Sequence, residues 1–278
     1  MVLNCFCGHG VSACFLPVRG AGGAVRESGF AGLSSAGPSG TLIQSWQIWY
    51  DGHTGKTKKV ETSMECYLKE VSGKHFQLAQ KDMGEFSVIK AKGMRFEMES
   101  YEVKGAGSLC LMTMKGMAGL MKMECATFTP SCLDGPILSM DWIHLPWKEN
   151  LLAEVYRTTL TEQPCAALDA VKARHSALPA YTPQESWHTC LLHPVSAFYR
   201  GSRGIRSELD RFFREYCEAY MDLLASCPAC DPGEKARANA VLPEGLLKNG
   251  GPAVNQFKAM IGEEKTAEFI RKYMFCCE

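Results

Sequence analysis

The sequence predicts an α+β protein in which one antiparallel sheet is followed by helices. Short strand-like runs, rich in apolar, aromatic and β-branched residues, follow one another from residue 41 to about residue 159. Gly, Pro or Lys separates them, and no helix of crossover length intervenes, so neighbouring runs are expected to pair antiparallel. Beyond residue 160 the apolar residues recur at helical spacing. An order of strands first and helices afterwards is typical of helices packed on a sheet.

The predicted strands follow from these runs. A hairpin is expected around the turn signal Asp51-Gly52, which lies between two apolar runs. Its two arms and the strands that follow are predicted at residues 42–50, 60–71, 86–91, 94–103, 108–114, 120–128, 137–144 and 151–159.

The clearest predicted helix covers residues 207–225. Ser207 is placed to cap it, with Asp210 at the capping-box position. Its apolar residues recur every three or four positions, as one buried helical face requires. Further helices are predicted at residues 161–177, at 252–261 with Pro252 in the first turn, and at 263–275.

Composition limits the function. The chain has 278 residues, 46% of them hydrophobic, which is enough for one large domain or two small ones. No apolar run approaches the ~20 residues of a membrane span, so we expect a soluble protein without an integral membrane segment. The 30 basic and 30 acidic residues cancel, so no global field favours nucleic acid, and a charged partner needs a local patch. The 14 cysteines mostly stand singly in apolar runs, which predicts reduced thiols.

Residues 1–40 differ from the rest of the chain. They are rich in Gly, Ala and Ser, and they contain Arg19 and Arg26 with one acid, Glu27. This composition is typical of a transit peptide, and an ordinary disordered tail is the alternative. A transit peptide would imply a plastid location; otherwise the protein is expected in the cytoplasm. Residues 41–278 then form the folded domain.

Several short motifs are explained without a functional site. Gly55-Lys56-Thr57 lacks the first glycine of a phosphate-binding loop and leads into a predicted strand. Cys227 and Cys230 supply only half of a tetrahedral zinc site, so a metal or thiol function stays an alternative. The methionine-rich stretch from residue 112 to 123 could bind Cu(I), but its methionines share strands with Leu and Cys, which favours a role in the core or in a pocket wall. Such a wall, which includes Met123, would suit a large flat apolar ligand.

Two acids interrupt neighbouring apolar strands. Glu124 lies in the run at 120–128 and Asp141 in the run at 137–144. Burying an ionised carboxylate costs several kcal/mol unless it is paired or its pKa rises enough to keep it protonated. These acids therefore either take part in proton transfer or face solvent on half-buried strands, and the pattern alone leaves both open.

The segment from residue 120 to 141 resembles the central block of ferredoxin-dependent bilin reductases. It reads LMKMECATFTPSCLDGPILSMD, and Phe128, Pro136 and Asp141 fall on the Phe, the Pro and the proton-donating Asp of that block. Glu124 falls where many members have a catalytic His; red chlorophyll catabolite reductases, a divergent branch, are similar in having Glu there. The ending GGPAVNQFKAMIGEEKTAEFIRKYMF also resembles the family's C-terminus, and the resemblance extends over about residues 41–278.

The resemblance implies a three-layer α/β/α sandwich with a central antiparallel sheet. It also implies an oxidoreductase that reduces an open-chain tetrapyrrole, such as biliverdin or a red chlorophyll catabolite, by a radical mechanism. Members bind no flavin or metal. Single electrons come from reduced ferredoxin, a [2Fe-2S] protein, and buried acids supply protons. Protonation makes the pigment a better electron acceptor, which is why a raised carboxyl pKa is useful.

The resemblance also assigns roles to residues. Asp141 is implied to be the first proton donor and Glu124 its partner or second donor. Arg200 or Arg203 is expected to bind the pigment propionates, because Arg recognises carboxylates bidentately. Ser139 and Met123 are expected to contact the pigment. Ferredoxins are acidic, so a basic docking surface is implied, with candidates Lys90, Lys92, Lys104, Lys115 and Lys122.

One departure from the family pattern leaves catalysis open. The family's further acid, before the penultimate helix, falls on Gly251, which cannot donate a proton. Either another group replaces it, or the reaction uses fewer protons, or the protein is a non-catalytic tetrapyrrole binder or carrier.

Overall fold

A computed structural model describes residues 63–91, 93–116 and 119–277 of the chain. Over these residues the protein is an α+β sandwich, in which helices cover both faces of a large antiparallel sheet, as predicted. The tail at 1–40, the first predicted strand at 42–50, the motif at 55–57 and Lys92 lie outside the described residues.

The sheet has eight strands among the described residues. In chain order they are β1 (Leu78–Lys81), β2 (Val88–Ala91), β3 (Met94–Val103), β4 (Gly107–Gly116), β5 (Met121–Pro130), β6 (Ile137–His144), β7 (Lys148–Tyr156) and β8 (Ala197–Ser202). Their spatial order is β1-β3-β4-β5-β6-β7-β8, and β2 pairs with β3 beside β1. Every pairing is antiparallel, so consecutive strands from β3 to β7 form a simple meander.

The helices divide between the two faces. Face A is covered by α1 (Met64–His75), α2 (Ala166–Arg174) and α3 (Arg206–Ser226). Face B is covered by α4 (Pro232–Asn249), α5 (Pro252–Ile261) and α6 (Glu263–Glu268), which continues as one π-helical segment, Phe269–Met274. Among the described residues, no helix combines the length and apolar character that crossing a membrane would need.

The predicted strand at 60–71 is wrong where the structure describes it, because that segment begins helix α1. The Ser63 hydroxyl accepts the backbone N–H of Cys66 and caps the helix. Tyr67, Leu68 and Val71 then recur at helical spacing and are buried against face A. The sequence alone shows this helical spacing, but the turn signal Asp51-Gly52 favoured the return strand of a hairpin at the same residues.

Two helix predictions are corrected in detail. Helix α3 begins one residue earlier than expected, and the Ser207 side chain does not cap it, because the turn Arg203–Ile205 leads straight into the helix. The helix expected at 161–177 is shortened to α2. Its first residues stay in a loop because Asp134 accepts the backbone N–H groups of Leu160 and Thr161 at 2.6 and 2.8 Å.

Helix α4 and strand β1 were not predicted. The start of α4 carries an ordinary signal, since Asp231 caps it by accepting the N–H of Glu234 and Pro232 occupies the first turn. The glycines and the internal Pro243 obscured the rest of the helix.

Candidate functional site

Asp141 is the most unusual side chain in the described part of the protein. It lies in the middle of β6 on face B, beneath the C-terminal helices, with 1% of its surface exposed. Neither carboxyl oxygen has a hydrogen-bond partner of ordinary geometry among the described residues. Burial raises the pKa of this carboxyl group from 3.8 to about 7, and the nearby Glu154 adds to the rise. Near neutral pH, Asp141 is therefore partly protonated and can act as a proton donor.

The neighbours of Asp141 follow from sheet geometry. Side chains alternate between faces along a strand, and directly paired residues share a face. Cys125 of β5 stands opposite Asp141 on one side, and Leu152 of β7 on the other. Two residues along β6, Ser139 lies on the same face between Thr127 and Glu154. Together these residues place a strip of buried polar groups on an otherwise apolar face.

Glu154 is a second buried acid on the same face as Asp141. Its Oε2 accepts a hydrogen bond from the Tyr156 hydroxyl at 2.7 Å, and 3% of the residue is exposed. His188, in the loop after α2, is close enough for the charge of Glu154 to act on it. Burial lowers the pKa of His188, which favours the neutral imidazole. Glu154 was not predicted as a site residue, although it interrupts the apolar strand LLAEVY as Asp141 interrupts the apolar strand β6.

Glu124 does not join this site. Because it is one residue away from Cys125 on β5, its side chain projects from face A, where it pairs across the sheet with Trp142. The expectation that Glu124 and Asp141 form a catalytic pair is therefore corrected: the sheet separates them. Cys125 is the β5 residue that faces Asp141, and burial raises the pKa of its thiol well above the usual value.

On face A, Glu124 belongs to a buried charge network. Its Oε1 accepts the backbone N–H of Met64 at the start of α1, and its Oε2 contacts His144 Nε2 at 3.1 Å and Lys122 Nζ at 3.0 Å. The other ring nitrogen of His144 contacts Glu149 at 2.7 Å. Burial alone would raise the pKa of Glu124, but the hydrogen bonds from His144 and Lys122 lower it to about 2. Glu124 is thus held in an ionic network on face A, which favours its ionised form.

The other predicted binding residues divide in the same way. Met123 and Ser139 lie on face B with Asp141. Arg200 of β8 pairs with Asn150 on that face, and its guanidinium stacks on the Tyr181 ring at 4.0 Å. Arg203 is exposed in the turn beyond β8. Of the two arginines, Arg200 is therefore the one built into the face that carries Asp141.

The segment at Gly251 is joined to this site by the loop that carries Trp187 and His188. The indole N–H of Trp187 donates to the carbonyl of Gly250 at 3.2 Å, and its ring packs against Gly245 of α4. Gly251 has φ 175°, an extended conformation open to any residue, and a Cβ there would meet only Leu246 at an ordinary 3.6 Å. The backbone therefore does not require glycine at the position where the family has an acid.

A row of cations crosses one end of the sheet. Lys90 pairs with Arg95, Arg95 with Lys115, and Lys115 with Lys122, so the four side chains project from the same face of four adjacent strands. We call these four residues the basic row. Glu97 offsets part of the charge of this row through Arg95 and Lys115, and Glu124 offsets a further part through Lys122. Lys104 lies at the far end of β3, nine residues from Arg95, which is roughly 30 Å along an extended strand.

In the described part of the chain, no group of three or more His, Cys, Asp or Glu residues is arranged to hold a metal ion. Cys227 is buried beneath Gly135, and Cys230 is only partly buried. They are the two cysteines for which the sequence left a metal or thiol function open.

Comparison with known proteins identifies the fold. No protein-family model and no curated protein matches the chain. Among solved structures, it is similar to the crystal structure of phytochromobilin synthase from tomato in complex with biliverdin. The TM-score is 0.61, and the match covers 76% of this chain and 81% of that one at 15% identity. At this identity the comparison shows a shared fold.

Proposed function

We propose that this protein reduces an open-chain tetrapyrrole of the bilin class, with electrons from reduced ferredoxin and a proton from Asp141. Two independent lines support the proposal: the resemblance of the segment at 120–141 to the bilin reductase block, and a fold shared with a synthase that was crystallised with biliverdin. Glu124 no longer favours the red chlorophyll catabolite branch, because it lies on the opposite face of the sheet. A plastid location is part of the proposal and depends on residues 1–40 acting as a transit peptide.

The protonated Asp141 carries the proposal. Asp141 is buried and has no hydrogen-bond partner of ordinary geometry among the described residues, which destabilises the fold, so its presence calls for a role outside folding. Reducing one double bond adds two electrons and two protons. Ferredoxin supplies electrons singly, and Asp141, held protonated near neutral pH, protonates the pigment so that it accepts them more readily.

Arg200 and Met123 account for pigment binding. The conjugated pigment would lie against face B, where Met123 offers a polarisable apolar surface. Arg200 would bind a propionate, since the stacking of its guanidinium on Tyr181 and its contact with Asn150 fix its orientation beside the site.

The basic row is the proposed docking surface for ferredoxin. It gathers three of the lysines named from the sequence with Arg95 at one end of the sheet. Trp147 and Leu120, exposed by 63% and 56%, lie in turns at the same end of β5, β6 and β7. A positive surface beside exposed apolar side chains suits a small acidic protein. Lys122 is three residues from Cys125, which is about 10 Å along β5, and it projects from face A, the face opposite to Asp141.

A non-catalytic tetrapyrrole binder is the second candidate. Gly251 favours it, because the position that corresponds to the further acid has room for a Cβ and yet carries no side chain. Such a protein would bind pigment on the same face without reducing it.

The test is an absorbance titration of the full chain with biliverdin, with and without reduced ferredoxin. The proposal expects binding in both cases and bleaching of the biliverdin band only with reduced ferredoxin. Asp141→Asn should bind biliverdin and lose about 100-fold or more in turnover, the usual contribution of a positioned acid. Red chlorophyll catabolite is tested in parallel, since it is the competing substrate.

The matched control is Glu124→Gln, which removes the acid on the opposite face. Its turnover, corrected for the folded fraction, should stay within a few-fold of wild type. Equal losses in both variants would mean that Asp141 acts only through folding. Pigment binding without bleaching in the wild type would establish the binder instead, and no binding of either pigment would remove both candidates.

A further inference from the structure

The turn between β5 and β6 lies against the loop that joins α3 to α4. Leu133 of the turn and Ala229 of the loop form an isolated antiparallel bridge. The N–H of Cys230 donates to the carbonyl of Cys132 at 3.1 Å, and the N–H of Asp134 donates to the carbonyl of Pro228 at 2.9 Å. This register sets Cys132 directly opposite Cys230.

The geometry of such a pair suits a disulfide. Because Cys230 donates to Cys132, the two cysteines occupy a hydrogen-bonded position of this short ladder, where Cα atoms lie roughly 5.5 Å apart and side chains project to the same side. Disulfides span Cα separations of about 4.4 to 6.8 Å. Cys132 and Cys230 are also both partly exposed, so a small oxidant has access to them.

Cys227 is the sequence neighbour that a CxxC motif would pair with Cys230. It ends helix α3, is 7% exposed, and its sulfur lies close to Gly135 within the protein. Burial raises the pKa of Cys227 to about 11 and also raises the pKa of Cys230, so the two thiols differ in access: Cys227 is buried and Cys230 is partly exposed. The structure therefore directs Cys230 towards Cys132, a residue outside the motif.

We propose that Cys132 and Cys230 form a redox modification site that closes to an intramolecular disulfide. A small-molecule disulfide such as oxidised glutathione is the oxidant. One cysteine thiolate attacks it, releasing one glutathione and leaving a mixed disulfide. The second cysteine then displaces the other glutathione. One S–S bond forms and one breaks, the two cysteines lose two electrons and two protons, and both glutathiones leave reduced.

The position of this bond connects it to the site on face B. The turn that carries Cys132 runs directly into β6, the strand of Asp141 and Ser139. The loop that carries Cys230 runs directly into α4, whose Asn239 already donates to the carbonyl of Pro130 at 2.6 Å. A disulfide would fasten the helix layer of face B to the end of the strand that bears the acid.

The experiment compares the full chain after incubation with oxidised or reduced glutathione. Free thiols are blocked with an alkylating reagent, and peptides are mapped by mass spectrometry before and after dithiothreitol. We expect a peptide linked through Cys132 and Cys230 that dithiothreitol separates. Because the bond closes a loop of about 100 residues, oxidation should raise Tm by roughly 5 to 10 °C.

Single serine variants at the three cysteines give the controls. Cys227→Ser should keep both the linked peptide and the rise in Tm. Cys132→Ser and Cys230→Ser should lose both, while under reducing conditions their Tm stays within a few degrees of wild type. A link between Cys227 and Cys230, or glutathione adducts without any linked peptide, would overturn the proposal.

Discussion

Replacing Asp141 by Asn should stabilise the protein at neutral and alkaline pH while removing its activity. The carboxyl group of Asp141 is fully buried, and its pKa is raised from 3.8 to about 7. Below about pH 4 the folded and unfolded states both carry the proton, and the group has no pH-dependent effect on stability. As pH rises from 4 to 7, Asp141 ionises in the unfolded state but stays largely protonated in the folded state, so the free energy of unfolding falls.

The size of the effect follows from that shift. Each pKa unit corresponds to about 1.4 kcal/mol, so the loss reaches about 4 kcal/mol once pH exceeds 7. Asn has the same shape and cannot ionise. The difference in free energy of unfolding between Asp141→Asn and wild type should therefore grow by about 3 kcal/mol between pH 5 and pH 8. For a chain of this size, that difference corresponds to roughly 6 to 12 °C in Tm.

The assay is urea unfolding of wild type and Asp141→Asn at pH 5, 6, 7 and 8, followed by tryptophan fluorescence. Glu124→Gln is the control of opposite sign. The pKa of Glu124 is lowered to about 2, so its stabilisation is complete above about pH 4.5 and is lost only as pH falls towards 2. Its variant should lose up to about 3 kcal/mol throughout pH 5–8. If the difference between Asp141→Asn and wild type is the same at pH 5 and pH 8, Asp141 is not held protonated and the proton-donor argument fails.

Three further predictions concern docking, binding and the backbone. Lys115→Glu should lower kcat/KM for ferredoxin about 10-fold at low salt and by a smaller factor at high salt. The control Lys104→Glu, at the far end of the sheet, should change kcat/KM little, and equal effects of the two variants would contradict docking at the basic row. Arg200→Gln should weaken biliverdin binding about 10-fold in an absorbance titration without changing the reduced product. Gly250→Ala should cost about 1 to 3 kcal/mol in urea unfolding, because Gly250 has φ 74° and a Cβ would lie 2.9 Å from Asn255, whereas Gly251→Ala should be nearly neutral.

The sequence predicted the sheet better than its flanks. The bounds of β6 were right to the residue, because β6 is a continuous apolar run with Pro136 before it and Pro146 soon after it. Helix α3 was predicted within one residue at each end, since its buried face repeats regularly. Helix α1 was not predicted because the turn signal Asp51-Gly52 favoured the return strand of a hairpin there. The start of α2 was placed too early because Asp134, which is distant in sequence, accepts the backbone N–H groups of Leu160 and Thr161. Contacts of that kind cannot be read from local pattern.

For the candidate site, the expected pairing of Glu124 with Asp141 fails because the two side chains project from opposite faces of the sheet. The gapless alignment with the family block set Glu124 on the position of a catalytic His, but a shift of one residue along a strand moves a side chain to the other face. The alternation of Lys122 and Glu124 was the one local signal that these two charged side chains share a face, and it was outweighed by the alignment. The pairing of Cys125 with Asp141, which fixes the face, is a property of the assembled sheet.

The correction at Glu124 also narrows the chemistry. With Glu124 on face A and Gly251 unable to donate, the buried acids of face B among the described residues are Asp141 and Glu154. The Cys125 thiol does not add a third proton donor of suitable strength, because burial raises its pKa well above the usual value. Reduction of one double bond consumes two protons, and reduction of two double bonds consumes four. Burial alone would raise the pKa of Glu154, but that pKa is lowered, in part by the hydrogen bond from the Tyr156 hydroxyl, so Glu154 is ionised near neutral pH. Under the proposed function, Asp141 is therefore the protonated acid of face B among the described residues, which favours a single two-electron reduction whose second proton enters from solvent.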